Sequence, residues 1–172
     1  MPNGLNDPED PHQCGWAGYH ERGLCADSLT TAWTSWQEPV RSISVAYKRR
    51  FYPDELNDFM ARMQWAEEGR GNRNPQVVLR SPSVVTVKPG QSLRLDVSQS
   101  TDPDGDALTF SWWQRSEIGK TKVTIDQTAS SIATIHIPAD APRNDTIHIV
   151  CEVHDDGPFR LVSYRRTILI VK

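Results

Sequence analysis

The second part of the chain alternates apolar and polar residues in short runs. Seven or eight such runs follow one another after Pro75, and turns rich in Pro, Gly and Asp separate them. A period of two places successive side chains on opposite faces of a β-strand. The runs cover residues 76–80, 84–88, 93–97, 108–114, 122–126, 132–137, 146–154 and 162–171. The pattern therefore predicts a mainly β fold, an antiparallel β-sandwich.

The same alternation assigns inward faces. Leu108, Phe110 and Trp112 share one face of their strand, and Trp113 lies on the other. Trp112 is therefore predicted to lie in the core. Trp113 is predicted to lie outside it, against solvent, the N-terminal segment or a ligand. Residues 162–171 carry apolar groups on both faces, so the pattern does not show which face points into the core. One interpretation is that an N-terminal helix covers one side of this strand.

Residues 1–38 show no sustained period and are rich in Pro, Gly, Asp and Asn, with tryptophans interspersed. They predict irregular structure whose aromatic side chains need a partner surface. Trp33 and Trp36 are interpreted as packing at the junction with the sandwich. Residues 39–52 are ambiguous, and a helix is slightly favoured.

A helix is predicted to begin at Pro53, because proline suits the first turn and two acids follow it. Apolar residues continue at helical spacing through Leu56, Phe59, Met60 and Met63. Gly69 is predicted to end this helix. The breaker-rich stretch that follows divides the chain, by composition, into segments 1–72 and 75–172.

Charge and composition narrow the classes of function. The 172 residues carry a net charge of −3, which provides no basic surface for nucleic acid. No apolar run approaches the roughly 18 residues of a membrane span. Three cysteines are too few for a disulfide scaffold. Cys14 and Cys25 could pair in an oxidising compartment, whereas Cys151 has the pattern of a small buried residue.

An acidic turn lies between two of the predicted strands. Asp102, Asp104 and Asp106 alternate there with Pro103 and Gly105. Carboxylate oxygens suit a hard cation such as calcium, with Asp155 and Asp156 as further ligands if the two loops meet. The alternative, which we favour from sequence, is a turn stabilised by side-chain caps.

Catalytic chemistry has no clear signature. Glu21, Asp7 and Glu9 could form the paired acids of a glycosidase, but solvated loop acids are the favoured interpretation. The histidines at strand positions lack ligand spacing and are interpreted as surface residues; they are His136, His148 and His154. No nucleophile motif is present. We therefore assign no catalytic residue.

Aromatic side chains are the remaining candidates for binding. A pyranose ring offers C–H faces that stack on an aromatic plane. Trp113, Trp16 and Phe159 are the candidate carbohydrate-binding residues.

Several segments resemble known families. Pro89-Gly90, the acidic turn at residues 100–106 and the Trp-bearing strand at 108–113 resemble polycystic-kidney-disease-type and related immunoglobulin-like domains. Segments 2–11, 15–21, 58–65 and 147–166 together resemble a closer family. This is a cellulose-binding-protein family that joins a nucleoside-hydrolase-like domain to a C-terminal immunoglobulin-like domain.

The resemblance implies that residues 1–72 are the tail of the hydrolase-like domain and residues 75–172 an immunoglobulin-like sandwich. Met1 and its polar surroundings suggest a fragment with an added methionine. The resemblance further implies a secreted or periplasmic, non-catalytic module that binds polysaccharide such as cellulose, with an upstream hydrolase-like domain as its partner. Two alternatives remain, a contribution to the active site of a glycosidic-bond hydrolase and a structural spacer.

Overall fold

The computed structural model describes residues 4–5, 14–24 and 29–172. A short hairpin comes first, formed by β1 (Glu21–Leu24) and β2 (Thr31–Thr34), and the helix α1 (Val40–Glu68) follows it. The strands of the second part are β3 (Val84–Val87), β4 (Ser92–Asp96), β5 (Thr109–Gln114), β6 (Thr124–Asp126), β7 (Ile132–His136), β8 (Thr146–His154) and β9 (Val162–Val171). No helix among the described residues has the length and apolar character needed to cross a membrane.

Two sheets face each other across one apolar core. The first has four strands in the order β3-β9-β8-β5, and the second has three in the order β4-β7-β6. Both contribute buried side chains to the core, among them Leu95, Trp112, Ile135, Ile149 and Leu169. The predicted mainly β, immunoglobulin-like fold is confirmed, and so is the assignment of Trp112 to the core.

The first strand of the sandwich departs from the antiparallel prediction. β3 runs parallel to β9, with Val84 beside Ile168 and Val87 beside Val171. Alternation fixes which face a side chain takes but not the direction of the neighbouring strand. The strand predicted at residues 76–80 was also wrong, since that stretch contributes a single bridge between Gln76 and Thr101.

Helix α1 begins earlier than predicted. It starts at Val40 and runs for 29 residues, with Pro53 inside it. The prediction of a start at Pro53 was therefore wrong, and the ambiguous residues 39–52 are mostly helical. The predicted end is correct: Gly69 adopts a left-handed conformation with φ 69°, and its N–H donates to the Trp65 carbonyl.

The helix packs on the outer face of the four-stranded sheet. Phe51 is fully buried there against Val150, Val162 and Tyr164, and Leu5 joins the same cluster. We call this group the second cluster. It explains why β9 is apolar on both faces: Val162 and Tyr164 point toward the helix, while Leu169 points into the sandwich core.

Polar contacts add to this packing. Asp54 accepts a hydrogen bond from the Tyr164 hydroxyl at 2.9 Å and lies 3.2 Å from His154 Nε2. His148 and His154 are each only 9% exposed, so their interpretation as surface residues was wrong. The N-terminal helix covers the face on which they stand, which the strand pattern alone does not reveal.

Candidate functional site: a cleft between helix and sheet

A cleft of about 360 Å³ opens where α1 meets the end of β5. The helix provides Ile43, Ala46, Tyr47 and Arg50, and the strand with its following loop provides Trp113, Gln114, Ser116 and Glu117. The walls thus combine aromatic rings with a guanidinium, a carboxylate, an amide and a hydroxyl. A small number of placed polar groups beside apolar surface is typical of ligand pockets.

Trp113 lies beneath the helix. Its ring centroid is 6.2 Å from those of Tyr47 and Phe51. The Arg50 guanidinium carbon lies 4.2 Å from the Trp113 centroid, close enough for a cation–π contact. The sequence predicted that Trp113 lies against solvent, the N-terminal segment or a ligand. The structure shows it against the N-terminal segment. Its stacking on a sugar stays a prediction, and it requires Arg50 to share or leave the ring.

Arg50 is held in place by the sheet. Its Nη2 lies 2.9 Å from Glu152 Oε1 on β8. The Glu152 side chain is 10% exposed and that of Arg50 is 42% exposed, so the guanidinium faces the cleft while its partner is buried. This ion pair therefore fixes the position of the positively charged Arg50 guanidinium at the wall of the cleft.

Glu117 is the acceptor of the site. The Tyr47 hydroxyl donates to its Oε2 at 2.6 Å, and the Cys14 thiol donates to its Oε1 at 3.0 Å. Burial raises the pKa of both donors, and the hydrogen bonds to Glu117 raise them further. Cys14 therefore remains a protonated thiol at neutral pH and lacks the character of a nucleophile. It is free in this structure, and its predicted disulfide partner Cys25 lies outside the described residues.

Arg115 supports the site from behind. It is fully buried, and its Nη2 donates to the carbonyls of Leu5 at 2.8 Å and Cys14 at 2.6 Å. Burial lowers the pKa of its guanidinium. This contact ties the start of the chain to the sandwich and keeps Cys14 beside Glu117.

The other two predicted carbohydrate-binding residues lie apart from the cleft walls. Trp16 packs against the second cluster, and its Nε1–H donates to the Tyr164 hydroxyl at 3.2 Å. Phe159 lies in the loop between β8 and β9 with φ 67°. The structure thus brings Trp16 and Trp113 to one cluster and leaves Phe159 outside it. Trp36 is 70% exposed, so its predicted packing at the junction was wrong.

The acidic turn is organised by hydrogen bonds. Asp102 Oδ1 accepts the backbone N–H of Asp104 at 2.7 Å and that of Asp106 at 3.3 Å. Asp104 pairs with Arg73 at 2.7 Å, and this hydrogen bond lowers the pKa of the Asp104 carboxyl. These contacts are those of a capped turn.

The second acidic loop reaches the first. Asp156 Oδ1 accepts the Ala107 N–H at 2.7 Å, and buried Asp155 accepts a hydrogen bond from Asn72 Nδ2 at 3.0 Å. Desolvation raises the pKa of the Asp106 carboxyl most, and the negative charges of Asp102 and Asp156 raise it further. Within the part of the chain that the structure describes, no group of three His, Cys, Asp or Glu side chains is arranged to hold a metal. Calcium at Asp102, Asp104 and Asp106 stays a prediction.

Of the three acids weighed as a glycosidase pair, and interpreted instead as solvated loop acids, the structure describes only Glu21. Glu21 is exposed and accepts a hydrogen bond from the Tyr19 hydroxyl at 2.8 Å. Asp7 and Glu9 lie outside the described residues.

Comparison with known proteins finds a match for most of the sandwich. Residues 92–171 match the family model described as the C-terminal domain of the cellulose-binding protein Sde0182. The resemblance seen in the sequence is confirmed. The whole chain is also similar to a solved structure, a nucleoside hydrolase-related hypothetical protein from Saccharophagus degradans that is associated with carbohydrate metabolism. That match has 29% identity and a TM-score of 0.77, and it covers 99% of this chain.

The chain spans only 45% of the length of the Saccharophagus protein. A further similar structure is the PKD domain of the KIAA 1837 protein, with 24% identity over 60% of this chain and 90% of that domain, at a TM-score of 0.43. No curated protein sequence matches the chain.

Proposed function

We propose that this chain is a non-catalytic accessory module that binds carbohydrate in the cleft between α1 and β5. The match of residues 92–171 to a domain of a cellulose-binding protein supports the class of ligand. The observation that carries the proposal is structural: fixed polar groups and an indole line one cleft.

The polar groups of the cleft are held in fixed positions, from which they can form hydrogen bonds with sugar hydroxyls. Glu117 is held by Tyr47 and Cys14, and Arg50 by Glu152. Gln114 is also fixed, since its Nε2 donates to the Thr121 carbonyl at 2.6 Å. Groups that are already ordered lose little conformational freedom when a ligand binds.

The shape of the site indicates the form of the ligand. A flat crystalline polysaccharide surface needs an exposed aromatic plane, whereas Trp113 lies inside a cleft beneath the helix. The cleft therefore suits a single glycan chain, such as a soluble cello-oligosaccharide.

The composition of the cleft favours binding over hydrolysis. Glycosidases generally use two carboxyl groups that flank the glycosidic bond. Among the described residues that line the cleft, Glu117 alone carries a carboxylate. The rival proposal, a contribution to a hydrolase active site, needs a second acid from elsewhere.

Calorimetric titration with soluble cello-oligosaccharides tests the proposal. Glu117→Gln is expected to weaken binding about tenfold or more, because hydrogen bonds to a charged group are worth roughly 1.5–3 kcal/mol. Asp126→Asn is the matched control, since this carboxylate is 60% exposed on the other sheet. Absence of binding by the unaltered chain would favour a structural spacer, and release of shorter sugars would favour the hydrolase alternative.

The accessory role extends to a partner domain. The Saccharophagus protein is described as nucleoside hydrolase-related, and more than half of it lies beyond the match. We include in the proposal a hydrolase-like domain upstream of this segment, in a secreted or periplasmic protein.

A further inference from the structure

Arg50 keeps one edge of its guanidinium available in the cleft. Its Nε and Nη2 atoms both donate to Glu152 Oε1, at 3.3 and 2.9 Å. Within the part of the chain that the structure describes, no hydrogen bond involves the third nitrogen, Nη1. A guanidinium presents its N–H groups in a planar fork, so the edge formed by Nη1 and Nη2 can still receive a ligand.

The Arg50 side chain is held against the sheet at several points. Its Cζ lies 4.2 Å from the ring centroid of Trp113 and 5.8 Å from that of Phe51. The carboxylate of Glu152, to which it is bonded, is buried. A side chain fixed in this way loses little further freedom when a ligand binds, so Arg50 suits a role in which it stays on the ring. A ligand in the cleft then meets the guanidinium rather than the indole face.

Several donors in and behind the cleft wall have no acceptor among the described residues. They are the indole N–H of Trp113 and the Nε and Nη1 groups of buried Arg115. The carboxylate of the wall, Glu117, already accepts hydrogen bonds from Tyr47 and Cys14. This set is matched by a ligand that brings acceptor oxygens, and an ionised carboxylate is such a group because it only accepts.

We infer that the ligand of the cleft is a saccharide that carries a carboxylate, and that Arg50 receives this group. The inference rests on the proposed carbohydrate binding and names the chemical class of the sugar. Hydroxyls of the same sugar donate to Glu117, so one ligand uses both charged groups of the wall. A carboxylate on an arginine fork forms charge-assisted hydrogen bonds, which are about twice as strong as those of a neutral hydroxyl.

The preference for an acidic sugar arises at contact. The two arginines and two glutamates of the site balance in charge; they are Arg50, Arg115, Glu117 and Glu152. The site therefore has no excess positive charge that would attract an anion from a distance. The planar fork of Arg50 selects the carboxylate, and a lysine, which is a point charge without this fork, should serve less well.

Calorimetric titration of the full chain compares a neutral tetrasaccharide with two acidic ones. Cellotetraose is the neutral ligand. Cellotetraonic acid carries a carboxylate at the oxidised end of the chain, and the β-1,4-linked tetramer of glucuronic acid carries carboxylates on its rings. At least one acid is expected to bind about tenfold more tightly than cellotetraose, and the preferred acid shows where the carboxylate lies. The difference should shrink at least twofold between about 0.05 M and about 0.5 M salt, because salt screens partly exposed charges.

Three variants test the role of Arg50. The quantity compared is the ratio of the dissociation constants of the neutral and the acidic tetrasaccharide, which cancels a general loss of binding. Arg50→Gln is expected to bring this ratio to about one, and Arg50→Lys to lower it about threefold, since the charge remains without the fork. Arg94→Gln is the matched control, because this arginine pairs with Asp96 at 3.2 Å on the other sheet. It should leave the ratio unchanged.

Equal affinity of the unaltered chain for cellotetraose and both acids would overturn the inference while leaving the proposed function intact. A preference for an acid that survives in Arg50→Gln would also overturn it, because the carboxylate would then lie on another group. Absence of binding by all three tetrasaccharides would remove the proposed function, and the inference with it.

Discussion

At the residue scale, two adjacent tryptophans illustrate what alternation reveals. It separates Trp112 from Trp113 correctly, because the side chains of a strand must alternate between faces. It does not reveal that helix α1 covers the outer face, where Trp113 packs against Tyr47 and Arg50 and is partly buried. The contact between Arg50 and Trp113 cannot be predicted from the residues around either one, because it leaves no local pattern in the sequence.

The two tryptophans should differ in their contribution to stability. Trp112 is 3% exposed, and its Nε1–H donates to the Ser130 carbonyl at 2.8 Å. Trp112→Ala is expected to lower the free energy of unfolding by about 3–5 kcal/mol. Trp113→Ala removes a partly buried ring and its contact with Arg50, and should cost about 1–3 kcal/mol. Urea unfolding measures both; an equal or larger loss for Trp113→Ala would mean that the second cluster is the dominant core.

Asp106 gives a prediction that depends on pH. Its pKa is raised in the folded state by desolvation and by neighbouring carboxylates. The folded state therefore holds this proton more tightly than the unfolded state, and stability falls as pH rises from the ordinary aspartate range through the raised pKa. Asp106→Asn is thus expected to raise the melting temperature at pH 7, with the gain disappearing at acidic pH.

The same variant tests the calcium prediction. If repulsion alone acts at the turn, calcium should not change the melting temperature of the unaltered chain. A rise with calcium that Asp106→Asn lacks would show instead that the acidic turn binds the ion, because a ligand of the native state adds stability.

At the element scale, the sequence predicts strands better than helix ends. The strands at residues 146–154 and 162–171 are found where alternation places them. The helix start was wrong because proline, although favoured in a first turn, also occurs inside this helix once packing on the sheet offsets its cost. The β1–β2 hairpin was missed, since its short strands carry no sustained alternation.

The junction after the helix is expected to be a docked connection. Asn72 is 5% exposed and donates to Asp155 and to the Pro158 carbonyl, while Arg73 is held by Asp104. Asn72→Ala leaves a buried carboxylate short of a donor and should cost about 1–3 kcal/mol. Tryptic cleavage after Arg73 should be slow in the unaltered chain and faster in the variant. Gln76→Ala, an exposed side chain nearby, is the control, and rapid cleavage of the unaltered chain would show instead that the two segments move independently.

At the scale of the whole molecule, the candidate site is only partly readable from sequence. Trp113 was identified because its position in the strand pattern was unexplained. The charged residues of the cleft, Arg50 and Glu117, were not identified from the sequence, because they come together only when the helix packs on the sheet. The alternation that predicts the sandwich carries no information on where a preceding helix lies.

This dependence on docking predicts that helix and sandwich unfold together. Phe51 is fully buried between them, stacked on Tyr47 with centroids 5.8 Å apart and edge-on to Tyr164 at 5.8 Å. Phe51→Ala should therefore lower the free energy of unfolding by about 3–5 kcal/mol, because the cavity lies in a shared core. Circular dichroism at the helix band and tryptophan fluorescence should show one coincident transition in both proteins. Tyr52→Ala is the matched control, since this neighbouring ring is 61% exposed. Loss of the helix signal before the fluorescence change would mean that α1 detaches while the sandwich stays folded, and the cleft would then exist only while the helix is bound.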